Sequence, residues 1–152
     1  MFTVNDLMTT NPITILPELP LPEAADLMTA ENCRHLPVVD EEGQLIGILT
    51  DRDVRQARHT AVFPTALAES CMTPNPITVT PETAAQHAAE LLGLHKISAL
   101  PVVDQGQLVG IITVSDFLTQ FAATEVSANQ VQSAANKELF QAQYSGWDLV
   151  KG

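Results

Sequence analysis

GILTDRD, Gly47 to Asp53, decides the reading of this chain, because it returns 63 residues later as GIITVSD, Gly110 to Asp116. Each copy is a short apolar run of strand character that ends in threonine, with an aspartate three residues on. Thr-x-x-Asp where a strand pattern gives way to a helix pattern is a capping-box start: the hydroxyl accepts from an orphan backbone N–H of the first helical turn. The same helix start is also suited to an anionic group. A structural cap and a ligand cradle therefore use the same residues, and the surrounding sequence has to separate them.

Working outward, the repeat lengthens. MTTNPITILPE from Met8 matches MTPNPITVTPE from Met72 at an offset of 64, and LPVVD from Leu36 matches LPVVD from Leu100 at the same offset. One residue is lost where DEEGQLIG faces DQGQLVG, which moves the offset to 63 through both Thr-x-x-Asp motifs. A long match with one deletion placed in a turn is a duplication. Each copy predicts an extended segment at Asn-Pro-Ile-Thr, then an alanine-rich helix (Leu21 to Asn32; Pro81 to about His95). A hairpin follows, with strands at LPVV and at Leu45 to Leu49 or Leu108 to Ile112. A last helix is expected from Asp51 to Arg58 and from Val114 to Phe121. The fold class is thus α+β, a pseudo-twofold tandem repeat of β-α-β-β-α units, with Val38, Val39, Val102 and Val103 expected inside. Repeat 1 is placed at residues 1–60, a linker at 61–69, repeat 2 at 70–121, and an extension at 122–152 that is helical or partly disordered. In that extension Val126, Val131, Leu139 and Phe140 form a sparse stripe and Trp147 an anchor.

Composition narrows the function classes. Eighteen Asp and Glu against seven Lys and Arg give a formal charge of −11, which argues against nucleic acid as the main ligand, since phosphate backbones need clustered cations. Hydrophobic residues make up 45% of the chain and aromatics 5%, so the core must be aliphatic. Cys33 and Cys71 form no CxxC motif and read as reduced thiols of a cytoplasmic protein. No apolar run is long enough for a membrane span, and the N-terminal residues have no signal-peptide pattern. His87 and His95 lack the i,i+4 spacing of a chelating pair, so no metal site is expected. No nucleophile elbow, Walker loop or zinc-ligand set is present, and the chain is read as non-catalytic.

With the tandem repeat, both LPVVD segments and both Gly-h-h-Thr-x-x-Asp endings in place, the chain resembles a pair of CBS (cystathionine beta-synthase) domains, a Bateman module, over about residues 1 to 121. That resemblance implies a disc-like pseudo-dimer with two clefts for adenosine ligands (AMP, ADP or ATP, with S-adenosylmethionine or NAD as other candidates), no further cofactor, and pairing into homodimers. It implies that Asp53 and Asp116 bond ribose hydroxyls and that Thr50 and Thr113 face phosphate. Each cleft would borrow the opening segment of the opposite repeat: Thr73, Ile77 and Thr78 for Asp53, and Thr9, Ile13 and Thr14 for Asp116. The clefts are unequal. Arg34 and His35 precede the first LPVVD where Ser98 and Ala99 precede the second, and Asp51 and Arg52 face Val114 and Ser115. Arginine engages phosphate oxygens bidentately, so the Asp53 cleft should favour the more phosphorylated ligands, unless Asp51 points inward. The competing readings are a sensor that signals an unidentified protein effector, a dimerisation module with vestigial clefts, and, least supported, an enzyme.

Overall fold

The computed structural model describes the backbone of residues 1–131 and the side chains of residues 1–125. Residues 1–116 form one compact body, and a second unit begins at Phe117. Within the body each repeat contributes a short helix, a two-residue strand, a longer helix and a hairpin. In repeat 1 these are α1 (Val4–Leu7), β1 (Thr9–Thr10), α2 (Leu21–Glu31), β2 (His35–Val39), β3 (Leu45–Thr50) and α3 (Asp51–Arg58). A 3-10 turn at Phe63–Thr65 leads into α4 (Ala68–Cys71), β4 (Thr73–Pro74), α5 (Ala85–His95), β5 (Ala99–Asp104), β6 (Gln107–Thr113) and α6 (Val114–Val131).

The helices start and stop for local reasons. Pro20 caps α2 at its fixed φ of −57°, Pro22 sits in its first turn, and left-handed Asn32 (φ 51°) ends it. Its counterpart α5 begins at Ala85, not at Pro81: the Thr83 hydroxyl accepts from the Thr80 amide at 3.0 Å and holds residues 80–83 in a turn. The hairpins explain the lost residue. In β5–β6 the loop is Gln105-Gly106, both at positive φ (49° and 79°), the two-residue turn whose twist suits paired strands. The longer loop of repeat 1 closes on Gly43 (φ 81°), with Asp40 Oδ1 accepting from the Glu42 and Gln44 amides at 2.9 Å.

Two three-stranded sheets result, in the orders β2-β3-β4 and β1-β6-β5. The opening strands are therefore exchanged. β1 of repeat 1 pairs antiparallel with β6 of repeat 2 (Thr9 opposite Ile111), and β4 of repeat 2 pairs with β3 of repeat 1 (Ile48 opposite Thr73). The flanking backbone follows the same exchange. Val4 and Asn5 amides donate to Thr83 and Pro81 carbonyls (2.8 and 3.0 Å), while Ala68 and Glu69 amides donate to Leu19 and Pro17 (2.8 and 3.0 Å). A close crossing makes this possible. A Cβ on Gly47 would lie 3.0 Å from the Thr73 carbonyl and against Met72; one on Gly110 would lie 2.9 Å from the Thr9 carbonyl and against Met8.

The expected opening strand at Asn-Pro-Ile-Thr is corrected: the ladders lie at Thr9–Thr10 and Thr73–Pro74. Asn11 and Asn75 then turn the chain in the left-handed region, and only single parallel bridges follow, Ile15 to Val38 and Val79 to Val102. Those bridges sit where LPVV is most buried. Val38 and Val102 are fully buried and Val39 nearly so, whereas Val103, past the bulge, is only half-buried. The core of the β2-β3-β4 half is aliphatic, as its composition requires: Leu21, Ala24, Met28, Leu36, Leu49 and Val54 pack together, with both cysteines at its margin. Ile48, Ala99 and Ile111 form a smaller cluster between the two sheets. The final helix runs to Val131, past the expected end at Phe121. The stripe from Val126 to Phe140 and the Trp147 anchor lie outside the described side chains.

Candidate functional site

The exchange of strands places the opening segment of repeat 2 beside the Thr-x-x-Asp turn of repeat 1. At that turn the Thr50 amide donates to Asp53 Oδ2 at 2.9 Å and the Asp53 amide donates to the Thr50 hydroxyl at 3.2 Å, a reciprocal cap on α3. The second copy repeats the pattern: the Thr113 amide donates to Asp116 Oδ2 at 2.8 Å, and the Asp116 amide to the Thr113 hydroxyl at 3.4 Å. Each aspartate is thus a cap, and each retains acceptor capacity, since a carboxylate offers about four lone-pair sites. The cap fixes where that capacity points.

A cleft of about 760 Å³ opens at this turn. Thr50, Arg52 and Asp53 form one wall, and Thr73 and Ile77 of the exchanged segment form another. Arg34 and His35 line it from the start of β2, and Thr113 and Ser115 from the second Thr-x-x-Asp turn. The structure thus brings nine of the residues singled out in the sequence to one cavity. Asp116, Thr9, Ile13, Thr14 and Thr78 are not among its lining residues. Thr9, Ile13, Thr14 and Thr78 are exposed, and Asp116 is half-buried at its cap. Both Thr-x-x-Asp turns therefore border one cleft, with the Asp53 turn contributing its aspartate and the second turn only Thr113, Val114 and Ser115.

The sequence reading missed Arg55, Asn75, Pro76, Lys96 and Ile97, which also line the cleft. Lys96 had a signal: at an offset of 64 it stands where Asn32 ends α2, and it closes α5 in the same left-handed conformation (φ 53°). Arg55 is one turn after Asp51, and the two pair at 3.0 Å. Asp51 does line the cleft, as the contrary expectation allowed, but its charge is engaged by Arg55. The Lys and Arg of residues 1–131 are Arg34, Arg52, Arg55, Arg58 and Lys96, and all but Arg58 line this cleft. With Asp51 and Asp53 as the lining acids, the cavity carries a formal charge of 4 − 2 = +2 in a chain of −11.

Across the cleft, His35 Nε2 lies 2.7 Å from the Ser98 hydroxyl, a side-chain bond between the two repeats. Its pseudo-symmetric counterpart would join Arg34 to Ala99 and cannot form, so this clasp exists on one side only. Burial, and then the Arg34 guanidinium, push the His35 pKa below its ordinary 6.5, with Asp51 and Asp116 opposing. The imidazole is held in its neutral form near neutral pH, as a partner for a hydroxyl. Burial also raises both thiols, with Glu31 adding to the effect at Cys33 and Asp53 at Cys71. Among the described residues no three His, Cys, Asp or Glu side chains gather to hold a metal ion, and no helix is long and apolar enough to cross a membrane.

A family model, CBS domain, matches residues 4–60 and again residues 68–123. The chain belongs to the CBS domain family. As a CBS pair it is 33% identical over 141 residues to the CBS domain-containing protein YhcV of Bacillus subtilis, covering 91% of this chain and 99% of that one. Among solved structures it is similar to the CBS domain pair of protein MJ0100 in complex with 5′-methylthioadenosine and S-adenosyl-L-methionine (TM-score 0.76, 34% identity, 82% of this chain and 98% of that one). CBSX2 of Arabidopsis thaliana in complex with AMP is also similar (TM-score 0.73, 30% identity, 84% and 99%). Matching enzymes are longer: the likeness to inosine-5′-monophosphate dehydrogenase of Aquifex aeolicus, 37% over 112 residues, spans 23% of that protein.

Proposed function

We propose that this CBS pair is a non-catalytic regulatory module whose Asp53 cleft binds an adenosine ligand carrying phosphate. The observation that carries this reading is the charge of the cavity: four of the five Lys and Arg of residues 1–131, in an acidic chain, line the cleft at one Thr-x-x-Asp turn. The AMP complex of CBSX2 and the adenosyl complexes of the MJ0100 pair support the ligand class. In this assignment Asp53 accepts from ribose hydroxyls, Ile77 packs on the adenine face, and Thr50 with Arg34, Arg52 and Lys96 meets the phosphates. The excess positive charge favours ATP and ADP over AMP, and disfavours the cationic sulfonium of S-adenosylmethionine and uncharged methylthioadenosine. Asp116, with Thr9, Ile13 and Thr14 of the opposite repeat's opening segment, is left to ligands with few phosphates.

Thermal-shift and calorimetric titrations with ATP, ADP, AMP, S-adenosylmethionine, methylthioadenosine and NAD test the assignment. A ligand at a hundredfold excess over its dissociation constant stabilises the fold by about 2.7 kcal/mol. If no adenosine compound shifts the transition, the clefts are vestigial and the Thr-x-x-Asp turns are caps alone. Homodimer formation, a cytoplasmic setting and signalling to a protein effector belong to the same proposal. The exposed stripe Val114, Leu118 and Phe121 along α6 supports a contact role for that helix. Light scattering with and without ATP reads the assembly; a monomeric mass in both states removes the homodimer.

A further inference from the structure

A second pocket, of about 270 Å³, lies in the β2-β3-β4 half and shares Arg34 and Asp51 with the cleft. Thr29 near the end of α2, left-handed Asn32 and Cys33 also line it, as does Arg58 in the last turn of α3. Arg34 therefore stands on the wall between the two cavities. Neither Arg34 nor Arg58 makes an ion pair among the described residues, and the acid at the wall, Asp51, is engaged by Arg55 at 3.0 Å. Arg58 is held in place by the Phe63 ring, whose centre lies 5.2 Å from its guanidinium carbon. The carbonyls at the end of α2 would repel an anion, but those of Met28 and Thr29 already accept from the Cys33 and Asn32 amides, at 3.0 and 3.3 Å. The Cys33 thiol is kept neutral by burial and by Glu31, so no thiolate competes for the guanidinium groups.

We propose that this pocket is a site for a small oxyanion such as inorganic phosphate, bound between Arg34 and Arg58, and that its occupant competes with the cleft for the Arg34 side chain. Two guanidinium groups lining one pocket suit a tetrahedral oxyanion, because each presents paired N–H donors. Once Arg34 turns toward the pocket, the cleft loses one of its phosphate contacts. The oxyanion would thus antagonise a phosphorylated ligand without entering its site. The competition, though not the pocket itself, rests on the adenosine-ligand reading of the cleft.

Titration with inorganic phosphate against chloride at matched ionic strength tests the site directly, by calorimetry and thermal shift. Wild type should bind phosphate, and Arg58→Gln should weaken that binding at least tenfold, the loss expected for one charge-assisted contact. Phe63→Leu, which frees Arg58 but keeps its charge, should weaken it less, and it decides the matter if Arg58→Gln is unstable. Phosphate should also raise the apparent ATP dissociation constant several-fold in wild type and leave it unchanged in Arg58→Gln, because Arg58 does not line the cleft. Equal phosphate effects in wild type and Arg58→Gln, or a phosphate effect no larger than that of chloride, would overturn the site. Phosphate binding through Arg58 with no effect on ATP would overturn the sharing of Arg34. Absence of any nucleotide binding by wild type would refute the cleft reading, and the direct phosphate arm would still decide the pocket.

Discussion

Replacing Gly47 by alanine tests whether the exchanged strand builds the cleft. The added Cβ would sit 3.0 Å from the Thr73 carbonyl, a backbone atom that cannot swing aside as the neighbouring Met72 side chain can. The strand must move, and it is held lightly: β4 is two residues long, with the Asn75 amide donating to Ile46 at 3.1 Å beyond it. Overpacking of this kind costs about 1–3 kcal/mol. The reduced freedom of the unfolded chain offsets about 0.4–1 kcal/mol of that. A net loss on the order of 1–2 kcal/mol lowers the Tm by about 2–8 °C for a chain of this size. Because Thr73, Asn75, Pro76 and Ile77 travel with the strand, nucleotide affinity should fall as well. Gly110→Ala is the control. Its Cβ meets the Thr9 carbonyl at 2.9 Å, so the stability loss should be similar, yet Thr9 and Thr10 do not line the described cleft and affinity should hold. Differential scanning fluorimetry and calorimetric titration with ATP read both effects. A Tm for Gly47→Ala within 1 °C of wild type, or equal affinity losses in the two variants, would refute the reasoning.

Other substitutions separate the roles of individual groups. Asp53→Ala removes the carboxylate half of the α3 capping box, the bond from the Thr50 amide, at a cost of about 0.5–1.5 kcal/mol, and should also weaken ATP at least tenfold; a stability loss with unchanged affinity would leave Asp53 as a cap only. Lys96→Asn should act with opposite signs, gaining a few tenths of a kcal/mol because asparagine tolerates the left-handed φ, while weakening ATP more than adenosine; chemical denaturation and calorimetry check the pair. Arg34→Ala should flatten the order ATP, ADP, AMP, and an unchanged order in calorimetry would remove Arg34 from the phosphate site. The lowered pKa of His35 means that the unfolded chain takes up this proton first as pH falls. Its contribution to stability is therefore present above pH 6.5 and lost as pH drops through the lower folded value. His35→Asn should reduce the pH dependence of the Tm between pH 7.5 and 5, and an unaltered slope would place the effect elsewhere.

The repeat made most of this fold legible in the sequence. LPVV and Gly-h-h-Thr state strand, strand and cap through local chemistry, and Leu21 to Glu31 reads as a helix from its proline start and apolar spacing. What stayed hidden was set by tertiary contact. Thr9–Thr10 has no strand signal of its own and is a strand only because Gly110 lets it approach β6. Thr80 to Thr83 looks like the first turn of a helix, and a threonine hydroxyl holds it outside. At the candidate site, the spacing of Thr50 and Asp53 marked a helix start suited to a cap or an anion, and the family resemblance, not any local pattern, pointed to Arg34. The offset of 64 from Asn32 marks Lys96 as the end of α5 but not as a cleft residue, which takes the tertiary placement of that helix end, and the His35–Ser98 clasp joins positions whose pairing no periodicity encodes.

The exchange of opening strands gives the nascent chain an order of events. The β2-β3-β4 sheet uses residues 35 to 74, so it can close once Pro74 has emerged from the ribosome. The β1-β6-β5 sheet joins Thr9 to Ile111, so residues near the start of the chain have no partner strand until β6 is synthesised. At about 5–20 residues per second, the 113 − 74 = 39 residues between those points take roughly 2–8 s. For that interval the β1 backbone is open to other chains on the same polysome. Two copies synthesised side by side could trade their β1 strands through the same pairing that each uses within itself. Translation speed and chain crowding would then decide how often the arm of one molecule completes the sheet of its neighbour.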